Sequence, residues 1–150
     1  MPQPRPATRP VTRPVTRQAN CQCGALTATV AADAQPMTVL CHCRDCQRRS
    51  GSPFGILAYF PVESITIDGE AREFTRPTDQ GDSFTTGFCP QCGSTIYARA
   101  SKYPALLGVT VGAFADPDFP PPLRSVYEQT RHGWVQVPEG VPGHERGRES

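Results

Sequence analysis

A mainly β domain with little helix is the fold this sequence predicts, and three observations predict it. Short segments with a two-residue apolar period, or with β-branched and aromatic content, recur along the chain between Gly, Pro and Asp-Gly turn signals. A single short stretch, Arg44–Ser50, reads as helical. Seven cysteines stand as C-x-C, C-x-C-x-x-C and C-x-x-C, which is the spacing of metal ligands rather than of a disulfide framework.

Residues 1–19 contain the repeat Thr8-Arg9-Pro10-Val11, Thr12-Arg13-Pro14-Val15, Thr16-Arg17. Proline at every fourth position removes backbone donors, and there is almost nothing apolar to bury. The expectation is a disordered tail ahead of a domain spanning residues 20–138. Leu26, Ala28 and Val30 alternate with Thr27 and Thr29 as a half-buried strand. Met37–Cys41 reads as a second strand running into the central cysteines, and Arg44–Ser50 as one helical turn stopped by Gly51 and Pro53. The apolar run at 54–60 has strand length.

Segments 64–67 and 71–75 flank Asp68-Gly69, the turn pair of a hairpin. Ser83–Phe88 leads as a strand into Cys89-Pro90-Gln91-Cys92-Gly93, and 94–100 and 106–111 are further strands. Asp116-Pro117-Asp118-Phe119-Pro120-Pro121-Pro122 is a loop. A final strand is expected at 134–137 and a frayed polar tail at 139–150. Strands of this number and spacing make a small, mainly antiparallel sandwich or barrel.

A chain of 150 residues supports one core, but 37% hydrophobic residues and 17 prolines make it a modest one, so metal is a plausible stabiliser. The net charge of +1 conceals an asymmetry. Arg5, Arg9, Arg13 and Arg17 are the charged residues before residue 20, which leaves 11 basic against 14 acidic residues in the remainder. That balance argues against a nucleic-acid-binding domain. No apolar run approaches the ~18 residues of a membrane span, and no apolar segment follows the N-terminal arginines as in a secretory leader. The expectation is a soluble cytoplasmic protein, with which an odd cysteine count agrees.

Cys21, Cys23, Cys89 and Cys92 supply four thiols from two short knuckles, each followed by glycine, and so could close a tetrahedral structural zinc site. Cys41, Cys43 and Cys46 are left for a second zinc ion. Cys41 and Cys43 share a face of an extended segment, and the following turn can bring Cys46 to them. Three protein ligands leave one position open, the mark of a catalytic zinc. The alternative is a redox or structural cluster with His42 completing the shell. Between Cys41 and Cys43, however, His42 would face the other way, which favours a supporting or packing role. Arg44, Arg48 and Arg49 can offset the thiolate charge and attract an anionic substrate such as a carboxylate. Phe54 and Ser50-Gly51-Ser52 are candidate walls for this site, and His132 and His144 have no assigned role.

Together, Cys21-x-Cys23-Gly24, Cys41-His42-Cys43-x-x-Cys46-Gln47-x-x-Ser50-Gly51-Ser52, Phe88-Cys89-x-x-Cys92-Gly93-Ser94, Asp116-Pro117 and Trp134 resemble the glutathione-dependent formaldehyde-activating enzyme family, also called the centromere protein V type domain. The resemblance covers about residues 20–138. It implies a Mss4-like β fold with two zinc ions per chain, structural at Cys21, Cys23, Cys89 and Cys92 and catalytic at Cys41, Cys43 and Cys46. It implies a carbon-sulfur lyase activity that makes or breaks the adduct of a low-molecular-weight thiol, glutathione in the family's name, with formaldehyde or another small aldehyde. Family members often carry a histidine shortly after the late proline, where this chain reads Pro122-Leu123-Arg124-Ser125-Val126. A second reading is a non-catalytic zinc-stabilised module that contacts a partner through its arginine tail.

Overall fold

A computed structural model describes residues 15–150 of the chain. Residues 1–14 of the tail expected at 1–19, and with them most of the partner contact assigned to that tail, lie outside the described residues. In chain order the elements are β1 (Arg17–Asn20), β2 (Thr27–Val30), β3 (Met37–Cys41), α1 (Arg44–Ser50), β4 (Gly55–Pro61), β5 (Ile65–Asp68), β6 (Arg72–Pro77), β7 (Ser83–Phe88), β8 (Thr95–Ala100), β9 (Leu106–Thr110) and β10 (Arg124–Val126), with short 3-10 turns between some of them. This is the mainly β class the sequence predicts.

The strands form a three-stranded sheet, β1-β2-β5, and a seven-stranded sheet, β10-β3-β4-β9-β8-β7-β6. All pairs are antiparallel except β10 with β3, which run parallel. The two faces of the large sheet have different fates. Ala58 and Phe60 of β4, Leu107 and Val109 of β9 and Tyr97 of β8 face the small sheet and meet Ala19, Ala28 and Val30 in the main core. Phe60 is fully buried there, a contribution of about 1.5–3 kcal/mol. One residue out of phase, Leu57 and Tyr59 of β4, Phe84 of β7 and Ala98 and Ala100 of β8 form a smaller cluster on the opposite face.

Several expectations change. β1 begins within the stretch assigned to the tail, because Ala19 is fully buried and pairs with Ala28. Asp68-Gly69 turns the chain as expected but closes no hairpin. β5 pairs with β2 and β6 with β7, so the turn carries the chain from one sheet to the far edge of the other. Burial decides this: Ile65 and Ile67 pack on the core, whereas β6 is largely exposed.

Residues 134–137 form no strand, since Trp134 is 72% exposed and only Val135 of that segment is buried. The last strand is instead β10, directly after the proline run. Residues 142–150 do not fray but fold back along 125–129. Ser125 N–H donates to Pro142 O at 2.9 Å, His144 N–H to Ser125 O at 2.9 Å and Tyr127 N–H to Arg146 O at 2.8 Å. No helix among the described residues is long and apolar enough to cross a membrane.

Candidate functional site

Cys21 and Cys89 follow β1 and β7, and each opens the same backbone device. Cys21 N–H donates to Leu26 O at 3.0 Å and Gly24 N–H to Cys21 O at 3.1 Å. In the second knuckle Cys89 N–H donates to Ser94 O at 3.0 Å and Gly93 N–H to Cys89 O at 2.8 Å. Gly24 and Gly93 sit at φ +82° and +80°, a left-handed conformation that glycine adopts without steric cost. The knuckles place all four sulfurs within 4.8 Å of one another, with Cys21 to Cys23 and Cys23 to Cys89 at 3.6 Å. Zinc–sulfur bonds of about 2.3 Å in a tetrahedron set the sulfurs about 3.8 Å apart, so the cluster fits the ion.

Donors surround the tetrad sulfurs as they would thiolates. Leu26 N–H donates to Cys21 Sγ at 3.2 Å and Gln91 N–H to Cys89 Sγ at 3.4 Å, while the Ser94 hydroxyl lies 3.3 Å from Cys92 Sγ. The Ser94 side chain, followed by its backbone, holds the Cys92 thiol down to about 5. Cys21 and Cys89 belong to the main hydrophobic core.

The second cluster is built from one continuous stretch. Cys41 ends β3, Cys43 caps α1, and Cys46 lies one turn into it. Cys43 is extended at φ −65°, ψ 155°, and its sulfur accepts from Cys46 N–H at 3.3 Å. The three sulfurs also lie within 4.8 Å of one another. Gly51, at φ +71°, ends the helix with its N–H on Gln47 O at 2.8 Å. Opposite Cys41, Gly55 lets the helix close on β4. A Cβ there would stand 3.2 Å from Cys46 Cβ and 2.5 Å from an Arg49 guanidinium nitrogen.

Proximity makes the three thiols share charge unequally. Hydrogen bonds from Cys41 and Cys46 hold the Cys43 sulfur far down, to about 2, and the same contacts with Cys43 and Cys46 push Cys41 strongly up. The Cys41 contact lowers Cys46, but the bond to Cys43 and burial outweigh it and leave Cys46 at about 11. Thiols this close disfavour more than one negative charge among them, and a cation can take the place of their protons.

His42 is fully buried and turned away from the sulfurs, as its place between two same-facing cysteines implies. Its Nε2 lies 2.9 Å from Ser125 Oγ and its ring meets Phe54 edge-on at 6.2 Å. Burial lowers its pKa and favours the neutral ring. His42 therefore does not complete the triad's shell. Gln47 braces the helix: Nε2 donates to His42 O at 2.8 Å and Thr130 O at 3.1 Å, and Oε1 lies 2.8 Å from His132 Nε2. Neither Phe54, which meets His42, nor the Ser50-Gly51-Ser52 turn borders the cavity beside the triad. Neither His132 nor His144 joins a cysteine cluster.

All three triad cysteines border a cavity of ≈ 650 Å³, whereas none of the tetrad cysteines does. Its floor is the outer face of the large sheet, with Gly55, Leu57, Tyr59 and Phe84 among its residues. Seven cationic residues border it: Arg44 and Arg48 of α1, Arg76 of β6, Lys102, Arg124 of β10, and Arg146 and Arg148 near the C-terminus. Four carboxylates do so, Asp45, Asp79, Asp82 and Glu149. The wall is thus net positive in a domain whose remaining surface is net acidic. Of the three arginines flagged by sequence, Arg44 and Arg48 reach the cavity, while Arg49 packs behind it against Gly55. Arg76 is the cation that sequence reasoning missed most clearly. It lies 3.5 Å from Asp45 and 4.8 Å from the Phe84 ring centre, with its side chain 21% exposed. Its one signal was its register position opposite Phe84, which requires knowing that β6 pairs with β7.

The family model described as glutathione-dependent formaldehyde-activating enzyme matches residues 16–130. No curated protein matches the chain significantly. Among solved structures, a crystal structure of a Rhodobacter sphaeroides protein is similar at 20% identity, covering 85% of this chain and 98% of that one, with a TM-score of 0.49.

Proposed function

The chain belongs to the glutathione-dependent formaldehyde-activating enzyme family, and from that premise we propose that it is a zinc-dependent carbon-sulfur lyase whose reaction centre is Cys41, Cys43 and Cys46. The substrates are glutathione or a related low-molecular-weight thiol and a small aldehyde. The thiol sulfur bonds to the carbonyl carbon, the C=O π bond breaks, and the proton from sulfur ends on oxygen; the reverse reaction cleaves the same C–S bond. The observation that carries this reading is that the three-sulfur cluster opens into a cation-rimmed cavity and the four-sulfur cluster does not.

Cys21, Cys23, Cys89 and Cys92 would hold a structural zinc, and Cys41, Cys43 and Cys46 a reactive one. A zinc ion bound by three thiolates supplies a Lewis-acidic position at which a substrate thiol is deprotonated at neutral pH. The protein's own part is to shape and charge the space beside the sulfurs. The Cys46 N–H stabilises negative charge on Cys43. Leu57, Tyr59 and Phe84 line an apolar floor that reduces water access to the reacting atoms. Arg76, pinned by Asp45 and Phe84, offers its fork to a substrate carboxylate with little side-chain entropy left to lose. A cavity of ≈ 650 Å³ is of the size that encloses a tripeptide-sized ligand.

The test is adduct exchange measured by NMR with ¹³C-formaldehyde and glutathione on zinc-loaded protein. Exchange faster than the spontaneous rate, abolished in C41S/C43S/C46S, supports the proposal. Exchange at the spontaneous rate with glutathione and with smaller thiols overturns it.

A further inference from the structure

The C-terminal segment is a wall of the cavity that the family match, ending at residue 130, does not reach. It is fastened rather than loose. Tyr127 stands at φ +56°, a left-handed conformation that a bulky residue holds only when its surroundings fix it. Its N–H donates to Arg146 O at 2.8 Å, and its phenol donates to the two carboxylate oxygens of Asp79 at 2.8 and 3.0 Å. Glu128 N–H adds a bond to His144 O at 3.0 Å, and Gly143 runs in parallel bridge with Ser125. Gly143 lies so close to the Glu128 carboxylate that a Cβ would sit 2.5 Å from one of its oxygens.

This strap delivers two guanidinium groups to the cavity. Arg146 lies 3.9 Å from Asp79, longer than a hydrogen bond, and Arg148 lies over the Tyr103 ring at 5.8 Å. Neither contact uses up the N–H donors of its guanidinium, which remain able to grip a carboxylate. The cavity floor runs along β4, from Gly55 beside Cys41 to Tyr59, a span of about 13 Å at the rise of a strand. Arg148 lies over Tyr103, which follows β8, whereas Arg146 is bonded to Tyr127, next to the Val126 that pairs with Cys41, so the two guanidinium groups enter the cavity from different elements of its wall.

Resting on the thiol-aldehyde reading above, we propose that the strap of residues 142–150 determines substrate specificity. Arg146 and Arg148 bind a carboxylate of the thiol substrate and so select anionic thiols over neutral ones.

The experiment is calorimetric binding of S-methylglutathione, whose blocked sulfur removes any contribution from a substrate thiolate, and of its diethyl ester to the zinc-loaded full chain. The acid binds the wild type at least about tenfold more tightly than the ester, R146A/R148A loses about that factor for the acid alone, and R146K/R148K loses less. Equal binding of acid and ester by the wild type, binding of neither, or wild-type affinity for the acid in the double variant overturns the proposal. Zinc content and circular dichroism check that the variants fold. If the double variant does not, R148A is read by the same criteria. Turnover is followed separately: acid-insensitive binding with intact turnover refutes the strap alone, and acid-selective binding without turnover refutes the chemistry alone.

Discussion

Cys21, Cys23, Cys89 and Cys92 come from two segments about 66 residues apart, whereas Cys41, Cys43 and Cys46 come from one. Both clusters use backbone N–H groups to stabilise sulfur, and both hold their sulfurs within 4.8 Å. What lies around them differs. The tetrad merges with the main core and clasps the end of β1 to the end of β7, closing a long loop that is entropically costly without it. The triad sits where β3 meets α1, closes almost no loop, and borders a cavity with cationic walls. Sulfur count alone would not assign the two roles. The distance in sequence that each cluster spans, and what occupies the space beyond its sulfurs, support the proposed structural role for one and reactive role for the other.

The largest effect is expected at the tetrad. Cys89 is fully buried in the core, and metal binding at such sites supplies about 10–16 kcal/mol, comparable to or larger than the whole stability of a domain. C89S should lose its cooperative thermal transition by circular dichroism. A folded C89S with normal metal content would erase the distinction drawn above. C41S/C43S/C46S should lose one of two zinc equivalents by elemental analysis and all detectable turnover, yet melt within about 8 °C of wild type, the shift that about 1–2 kcal/mol produces in a domain of this size. Global unfolding of that variant would make the triad structural too.

A smaller effect is expected from R76A. It should raise KM for glutathione about tenfold while changing kcat less than threefold, the signature of lost binding made equally in ground and transition states. An unchanged KM would remove Arg76 from the substrate wall.

The smallest effect is expected at Glu73, on the opposite face of the same strand. Arg99 and Tyr97 hold its carboxyl at about 2, below its ordinary 4.5. A depressed value means the contact stabilises above the unfolded pKa and is lost as pH falls from about 4.5 toward 2. Glu73 and Arg99 are both a third or more exposed, so the loss is no more than about 0.5 kcal/mol. E73Q should lower the melting temperature slightly at pH 7 and not at pH 2, with zinc content and KM unchanged. A larger shift, or any change in KM, would couple this face to the cavity.

The cysteine groups, β3, the short helix and its Gly51 stop were legible because their signals are local: ligand spacing, a two-residue period, a residue able to adopt positive φ. Where the sequence misled, the deciding interaction was distant. Asp68-Gly69 encodes a turn but not which strands it joins, and Ile65 and Ile67 commit β5 to the small sheet through burial. β10 has three residues and follows three prolines, and parallel pairing with β3 has no local mark. Arg76 and the strap became visible only once β6 was known to lie beside β7, and residues 142–150 beside 125–129.

The parallel rung between Leu40 and Ser125 also sets an order of biogenesis. A ribosome making this chain releases the triad early and its far wall last, so three adjacent thiols wait through most of translation without the strand and strap that later border them. Pairing between such distant segments is slow compared with local folding. Nascent chains are therefore expected to be more open to oxidation at Cys41, Cys43 and Cys46 than the folded protein is. Oxidative stress during synthesis should damage this protein more than the same stress applied after it has folded.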